Sequence, residues 1–168
     1  IRIEGCKCLV LGNGGAAKAV IAVLKHLNAA GIKLVSRRDT PDTITYEECL
    51  AHHTDAEVIV NTTPVGMYPN TGVSPVDLSR FPKLEAALDV VYNPARTKFL
   101  LEAERLGLKR ANGLLMLVAQ AKKSCEDFLG EPIADERIGA ITKALTAQMQ
   151  NVILIGMPGS GKTTIGTR

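Results

Sequence analysis

Residues 7–17 have the sequence Lys7-Cys8-Leu9-Val10-Leu11-Gly12-Asn13-Gly14-Gly15-Ala16-Ala17. Its first part is apolar and predicts a buried β-strand. The glycines that follow fit Gly-x-Gly-x-x-Ala, a pattern in which a tight turn leads from a strand into a helix and the backbone can approach a diphosphate. Apolar residues then recur at helical spacing over 16–28, and Gly31 is expected to end this helix. A purely structural strand–helix turn is the alternative.

The rest of the chain continues this alternation. Further strands are predicted at 32–35, 57–61, 86–92 and 108–111, and helices at 97–106, 114–128 and 135–149, with a weak helix at 46–52 and a long loop at 64–82. Thr97 and Asp135 are the expected N-caps. The apolar stripe of the 114–128 helix is Leu114, Leu117, Val118, Ala121, Cys125 and Phe128. Regular alternation predicts an α/β fold: a Rossmann-like, doubly wound parallel sheet with helices on both faces.

Composition excludes several classes of function. A net charge of +3 without a basic run does not favour nucleic-acid binding. No apolar run approaches 18 residues and no signal peptide is recognisable, so we expect a cytoplasmic protein without a membrane partner. The four cysteines, Cys6, Cys8, Cys49 and Cys125, match neither a disulfide framework nor a zinc pattern, and no metal site is predicted. The oligomeric state is not indicated.

The second predicted strand ends at Ser36-Arg37-Arg38. Sites for NAD usually have an acidic residue here that binds the ribose hydroxyls. A guanidinium group instead suits the 2′-phosphate of NADP, with Arg37 the stronger candidate because it follows the strand end directly. The alternative is a solvated pair of charges, neutralised by Asp39.

The end of the chain carries a second phosphate-binding pattern. Residues 156–163 fit Gly-x-x-x-x-Gly-Lys-Thr after an apolar strand, with Gly156, Gly161, Lys162 and Thr163 as the P-loop residues. Only five residues follow Thr163. We therefore expect a first domain at 1–150 and the truncated start of a second at 151–168, too short to bind a nucleotide productively.

Three further motifs carry a family resemblance. They are Asn61-Thr62-Thr63-Pro64-Val65-Gly66-Met67, Asp89-Val90-Val91-Tyr92-Asn93-Pro94 and Asn112-Gly113-Leu114-Leu115-Met116-Leu117-Val118-Ala119-Gln120-Ala121. Together with the glycine turn, they resemble the C-terminal NADP-binding domain of shikimate dehydrogenase over about residues 5–130. Ser36 and Arg38 depart from the Asn-Arg-Thr cofactor motif of that family. Residues 151–166 resemble the start of shikimate kinase, which implies a fragment of a bifunctional fusion.

The resemblance implies site residues. Those for the cofactor are Gly12, Asn13, Gly14, Gly15 and Ala16 at the diphosphate, Arg37 with Ser36 and Arg38 at the 2′-phosphate, Thr62, Thr63 and Val65 along the path to the nicotinamide, and Val90, Gly113 and Met116 around its ring. Tyr92 and Gln120 would reach the substrate. Alternatives remain open: the two threonines as strand-end caps, Met116 as core, and Gln120, beside a supposed buried face, paired with backbone.

The implied activity is reversible hydride transfer between NADP(H) and shikimate or 3-dehydroshikimate, in aromatic amino-acid biosynthesis. The family's proton-transferring Lys and Asp belong to an N-terminal domain that this chain is expected to lack. No catalytic residue is therefore predicted here, and the chain is expected to bind NADP(H) without turnover. The alternatives are a quinate/shikimate dehydrogenase using NAD, a non-catalytic dinucleotide-binding module, and a P-loop kinase.

Overall fold

A computed structural model describes residues 1–38, 40–149 and 157. The strands are β1 (Lys7–Leu11), β2 (Gly31–Ser36), β3 (Ile44–Thr45), β4 (Val58–Asn61), β5 (Ala86–Asp89) and β6 (Lys109–Ala111). The α-helices are α1 (Gly15–His26), α2 (Tyr46–His52), α3 (Lys98–Arg105), α4 (Leu114–Leu129) and α5 (Glu136–Gln148). A short 3₁₀ turn at Leu78–Arg80 interrupts the long loop before β5.

The six strands form one parallel sheet in the order β3-β2-β1-β4-β5-β6. The chain reverses its direction of travel across the sheet between β1 and β4, and ligands of such sheets bind outside the strand ends at this point. The strands end at one level, because Leu11 is in register with Asn61 and Asn61 with Asp89. The predicted doubly wound, Rossmann-like sheet is confirmed.

Each face of the sheet has its own apolar core. Leu9 and Leu11 face a core that includes Phe99 of α3 and Cys49 of α2. Their neighbours Cys8 and Val10 face the opposite core with Leu24 of α1. Successive side chains of a strand point to opposite faces, so β1 supports both layers. Helices therefore cover both faces, as predicted.

The end of α1 differs from the prediction. Leu27 is the C-cap, and Asn28 takes the left-handed conformation with φ 57°. The amide of Ala29 then donates to the carbonyl of Leu24 at 3.1 Å. Asparagine tolerates this conformation better than most residues, so glycine is not needed here. Gly31 instead begins β2, opposite Lys7.

The apolar stripe predicted for α4 lies on a helix, but it is not buried over most of its length. Leu114 and Val118 are buried, whereas Cys125 is exposed and 91% of the Phe128 side chain is accessible. The buried side chains of α4 thus lie in its first half. A helical pattern shows which side chains share a face, not whether described residues cover it.

Asp135 has the predicted N-cap position but does not cap α5 with its side chain. Its carboxylate instead accepts from the ammonium group of Lys122 on α4 at 2.8 Å. Lys122 also pairs with Glu126 at 2.9 Å. The carboxylate is thus used in an ion pair that links the two helices.

The remaining helix predictions are confirmed. Helix α2 spans residues 46–52 as expected, although the two-residue strand β3 before it was not predicted. Thr97 caps α3 by accepting from the amide of Leu100, and Gly107 follows the helix with φ 70°. No helix among the described residues has both the length and the apolar character needed to cross a bilayer.

Candidate functional site

The glycine turn after β1 packs against the turn after β4. Gly12 has φ 104°, and a Cβ atom on it would lie 2.9 Å from both Oγ1 of Thr62 and Cγ2 of Thr63. The Gly12 amide donates to the carbonyl of Val35 on β2 at 2.8 Å. Both the conformation and the close approach require glycine here.

The N-terminus of α1 has the properties of an anion site. Gly14 is its N-cap and has no side chain to cap the first-turn amides, and no acidic residue lies in that turn. Asn13, Gly14 and Gly15 are exposed, and Ala16 is half-buried. Uncapped amides and the positive end of the helix dipole favour a phosphate at this position.

The turn after β2 is shaped by hydroxyl groups. Ser36 accepts from the amide of Arg38 at 3.1 Å and donates to its carbonyl group. Thr43 donates to the same carbonyl at 2.9 Å. The Ser36 hydroxyl is therefore engaged with the protein backbone, and its role in the turn is structural.

The two arginines of this turn are exposed. Among the described residues, neither guanidinium group has a hydrogen bond or an ion pair. Burial raises the pKa of the Tyr46 hydroxyl on α2, and the charge of Arg37 partly offsets that rise. Within the described part of the chain, Arg37 and Arg38 can therefore donate to an anion without breaking a contact to another residue.

The turn after β4 is held by Asn61, which is completely buried. Its Oδ1 atom accepts from both the amide and the hydroxyl of Thr63, at 3.0 and 2.6 Å. The hydroxyl of Thr62 donates to the carbonyl of Leu11 at 2.7 Å. Both threonine hydroxyls thus act as strand-end caps, which was the structural alternative. Val65 is half-buried, and its amide donates to the Thr63 hydroxyl at 3.3 Å.

The turn after β5 depends on a buried carboxylate that sequence reasoning did not single out. Asp89 accepts from the side-chain amide of Asn61 at 3.0 Å, from the backbone amide of Val91 at 3.0 Å and from the hydroxyl of Thr97 at 2.6 Å. Burial raises the pKa of Asp89, and these three hydrogen bonds limit the rise. The available signal was that polar residues end two otherwise apolar strands.

Gly113 brings the start of α4 against this turn. Its amide donates to the carbonyl of Val91 at 3.2 Å. Asn112 fixes the same segment, accepting from the amide of Leu114 at 3.2 Å and donating to the carbonyl of Ala95 at 3.0 Å. Val90 is half-buried beside Gly113.

The three remaining candidates are exposed. The accessible fraction is 45% for Met116 and 40% for Tyr92, and Gln120 is also exposed. Met116 is therefore not a core residue. The expectation that Gln120 flanks a buried face is wrong, because Ala121 beside it is exposed too.

The strand-end turns form a continuous row. The amide of Thr62 donates to the carbonyl of Leu11, and that of Val90 to the carbonyl of Asn61, both at 2.9 Å. The turns after β2, β1, β4 and β5 therefore follow one another along one edge. Cations, uncapped amides and close-packed backbone occur along it in that order, which suits an extended, phosphate-bearing dinucleotide.

Two other features lie apart from this edge. A cavity of about 860 Å³ lies between the long loop and α3, and it contains none of the predicted site residues. The P-loop residues Gly156, Gly161, Lys162 and Thr163 lie outside the described part of the chain.

Comparison with known proteins points in one direction, although no protein-family model matches the chain. Shikimate dehydrogenase (NADP(+)) of Crocosphaera subtropica is 36% identical, over 76% of this chain and 51% of its own length. The enzyme of the same name from Clostridium perfringens is 40% identical, over 77% of this chain and 51% of its own length. The chain thus spans about half the length of the curated relatives it matches.

Solved structures agree with these relatives. A chorismate mutase/shikimate 5-dehydrogenase fusion protein from Clostridium acetobutylicum is 37% identical, with a TM-score of 0.82 over 90% of this chain and 58% of the other. Shikimate 5-dehydrogenase from Thermus thermophilus, in complex with NADP(H) and shikimate, is 28% identical, with a TM-score of 0.70 over 86% of this chain and 56% of the other. Homologues that are shikimate dehydrogenases therefore cover most of this chain.

Proposed function

We propose that this chain is the NADP(H)-binding domain of a shikimate dehydrogenase, the enzyme that interconverts 3-dehydroshikimate and shikimate. The observation that carries the proposal is the uncapped N-terminus of α1 beside the exposed guanidinium groups of Arg37 and Arg38. The names of the relatives and the ligands of the Thermus thermophilus structure support NADP as the cofactor.

The phosphate contacts follow from the turns after β1 and β2. The turn at 12–16 would hold the diphosphate through the uncapped amides at the N-terminus of α1, whereas the Gly12 amide is already bonded to the carbonyl of Val35. Arg37 would hold the 2′-phosphate through charge-assisted hydrogen bonds, with Arg38 as a second donor. Ser36 would contribute by shaping the turn that carries both arginines.

The nicotinamide half follows from the turns after β4 and β5. Thr62, Thr63 and Val65 would line the path to the ring, and Val90, Gly113 and Met116 would contact it. Tyr92 and Gln120 would reach towards the substrate, since both are exposed, Tyr92 in the turn after β5 and Gln120 on α4.

The bound cofactor would supply the hydride, and the residues of this chain would bind and orient it. Lys7 and Asp55, for example, form an ion pair at the opposite end of β1 from this edge. We propose that the proton-transferring groups belong to the half of the relatives that this chain does not match. The chain alone would then bind NADP(H) without turnover.

NAD is the competing cofactor. Shikimate 5-dehydrogenase from Listeria monocytogenes, 26% identical with a TM-score of 0.64, has a structure with shikimate and NAD. Titration of this chain with NADPH and with NADH, followed by nicotinamide fluorescence, separates the two. We expect tighter binding of NADPH. Equal affinities would contradict the role of Arg37, and no binding of either would contradict the dinucleotide site.

The end of the chain requires a separate proposal. We propose a domain boundary near residue 150 and, at 151–168, the start of an ATP-binding shikimate kinase domain in a multifunctional protein. The Gly-x-x-x-x-Gly-Lys-Thr pattern supports it. A parent gene whose reading frame stops soon after Arg168 would contradict the kinase proposal.

We also propose a cytoplasmic location without nucleic-acid or membrane partners.

A further inference from the structure

We infer that Asp89 is a positioning residue for the nicotinamide half of bound NADP(H), acting through the turns after β4 and β5. This inference rests on the proposed function. Asp89 would touch neither the cofactor nor the substrate, because the residue is buried, with only 3% of its surface accessible.

Asp89 holds the turn after β5, which begins at this residue. Its Oδ1 atom accepts from the amide of Val91, two residues along the chain, at 3.0 Å. The carbonyl of Val91 in turn accepts from Gly113 at 3.2 Å. One carboxylate oxygen therefore fixes the backbone of Val90 and Val91, and through it the start of α4.

Asp89 also holds the neighbouring turn after β4, through Asn61. The same Oδ1 atom accepts from Nδ2 of Asn61 at 3.0 Å, which orients the side-chain amide. The Oδ1 atom of Asn61 is then directed at Thr63 and accepts from its amide and its hydroxyl. The carboxylate thus determines the course of the chain towards Val65, although these residues are far from Asp89 in the sequence.

Thr97, at the start of α3, attaches this hydrogen-bond network to the core. Oδ2 of Asp89 accepts from the hydroxyl of Thr97 at 2.6 Å, while this hydroxyl accepts from the amide of Leu100 at 3.3 Å. Thr97 has only 1% of its surface accessible. The carboxylate is therefore tied to the first turn of a helix in the core, which gives both turns a rigid support.

The hydrogen bonds of this network lead to the nicotinamide half of the proposed site, although Thr63 also packs against Gly12. No hydrogen bond from Asp89, Asn61 or Thr97 leads to Arg37 or to the first turn of α1 among the described residues. The adenosine and 2′-phosphate end would therefore keep its geometry when the carboxylate is altered. This asymmetry distinguishes positioning of the nicotinamide from general loosening of the fold.

The experiment compares two ligands on four variants of the chain. Asp89→Asn removes the charge, and Thr97→Val removes the donor to Oδ2 at nearly constant volume. Thr97→Ser keeps the hydroxyl that donates to Oδ2. Thr142→Val is the control, because it removes a half-buried hydroxyl that donates to the carbonyl of Ile138 on α5 and not to a residue of this network. Calorimetric titration uses NADPH and adenosine 2′,5′-bisphosphate, which lacks the nicotinamide half.

We expect Asp89→Asn and Thr97→Val to weaken NADPH binding about tenfold, the effect of one lost hydrogen bond. Affinity for adenosine 2′,5′-bisphosphate should stay within about twofold, and Thr97→Ser should recover NADPH binding. Equal weakening for both ligands, or unchanged NADPH binding, would overturn the inference. If Asp89→Asn does not fold, the Thr97 pair decides. A wild-type chain that binds neither ligand would refute the proposed function, and this inference with it.

Discussion

The carbonyl oxygen of Val90 approaches Gly113 so closely that a Cβ atom at residue 113 would lie 1.9 Å from it. The atoms involved are backbone, so no side-chain rotation can relieve the overlap. The turn after β5 and the start of α4 are therefore packed as one unit, and this contact requires glycine although the φ angle of Gly113, −77°, is one that any residue can adopt.

Replacing Gly113 by alanine should therefore displace the backbone. We expect Gly113→Ala to lower the free energy of unfolding by about 3 kcal/mol, the upper range for overpacked sites. Urea denaturation measures this change. Gly139→Ala on α5 is the control, since nothing lies within 4 Å of its added Cβ atom. A variant at residue 113 as stable as this control would show that the contact can relax freely.

The glycine turn after β1 leads to a similar prediction with a different cause. Gly12→Ala combines an unfavourable φ of 104° with contacts of 2.9 Å to Thr62 and Thr63, and should cost about 1–3 kcal/mol. Gly15→Ala, in open space at the start of α1, should be neutral or stabilising by about 0.5–1 kcal/mol. Thermal melts of the two variants test the pair, and equal melting temperatures would contradict the prediction.

The exposed arginines of the turn after β2 predict cofactor preference. Arg37→Gln should weaken NADPH binding by about 10–100-fold, because hydrogen bonds to charged groups contribute about 1.5–3 kcal/mol. NADH binding should hardly change, since NADH has no 2′-phosphate. Arg38→Gln should have the smaller effect on NADPH. The assignment to Arg37 fails if both cofactors weaken equally, or if Arg38 has the larger effect.

The buried Asp89 predicts the pH dependence of stability. Burial raises its pKa in the folded state. The folded chain therefore binds this proton more readily than the unfolded chain does. The resulting contribution of Asp89 to the free energy of unfolding is fully present below about pH 4 and is lost as the pH rises through the folded-state pKa. The difference in free energy of unfolding, wild type minus Asp89→Asn, should thus decrease from about pH 4 upwards. Urea denaturation across this range would contradict the prediction if the difference were constant.

The sequence was sufficient for features that depend on local pattern. The alternation of strands and helices, the glycine turn at Gly12 and the cap at Thr97 each follow from spacing or from the chemistry of one residue type. These features predicted the sheet and the edge on which the candidate residues meet. The end of α1 was missed because Asn28 performs locally what a glycine usually does.

Features that depend on distant partners could not be obtained in this way. Asp89 bonds Asn61, which is 28 residues earlier in the chain, and their contact exists only because β4 and β5 are adjacent. The expectation that the stripe ending at Phe128 is buried was wrong because it rested on local spacing alone. Its spacing is helical, but the spacing does not specify a neighbour that covers it, and Phe128 remains accessible.

The dual use of the Thr97 hydroxyl has a consequence for how the molecule opens. The same oxygen stabilises the first turn of α3 and holds the carboxylate that joins two strands. These parts are expected to behave as one cooperative unit, so their amides should exchange with deuterium at similar rates. Fluctuations that release α3 would then also loosen the turns after β4 and β5.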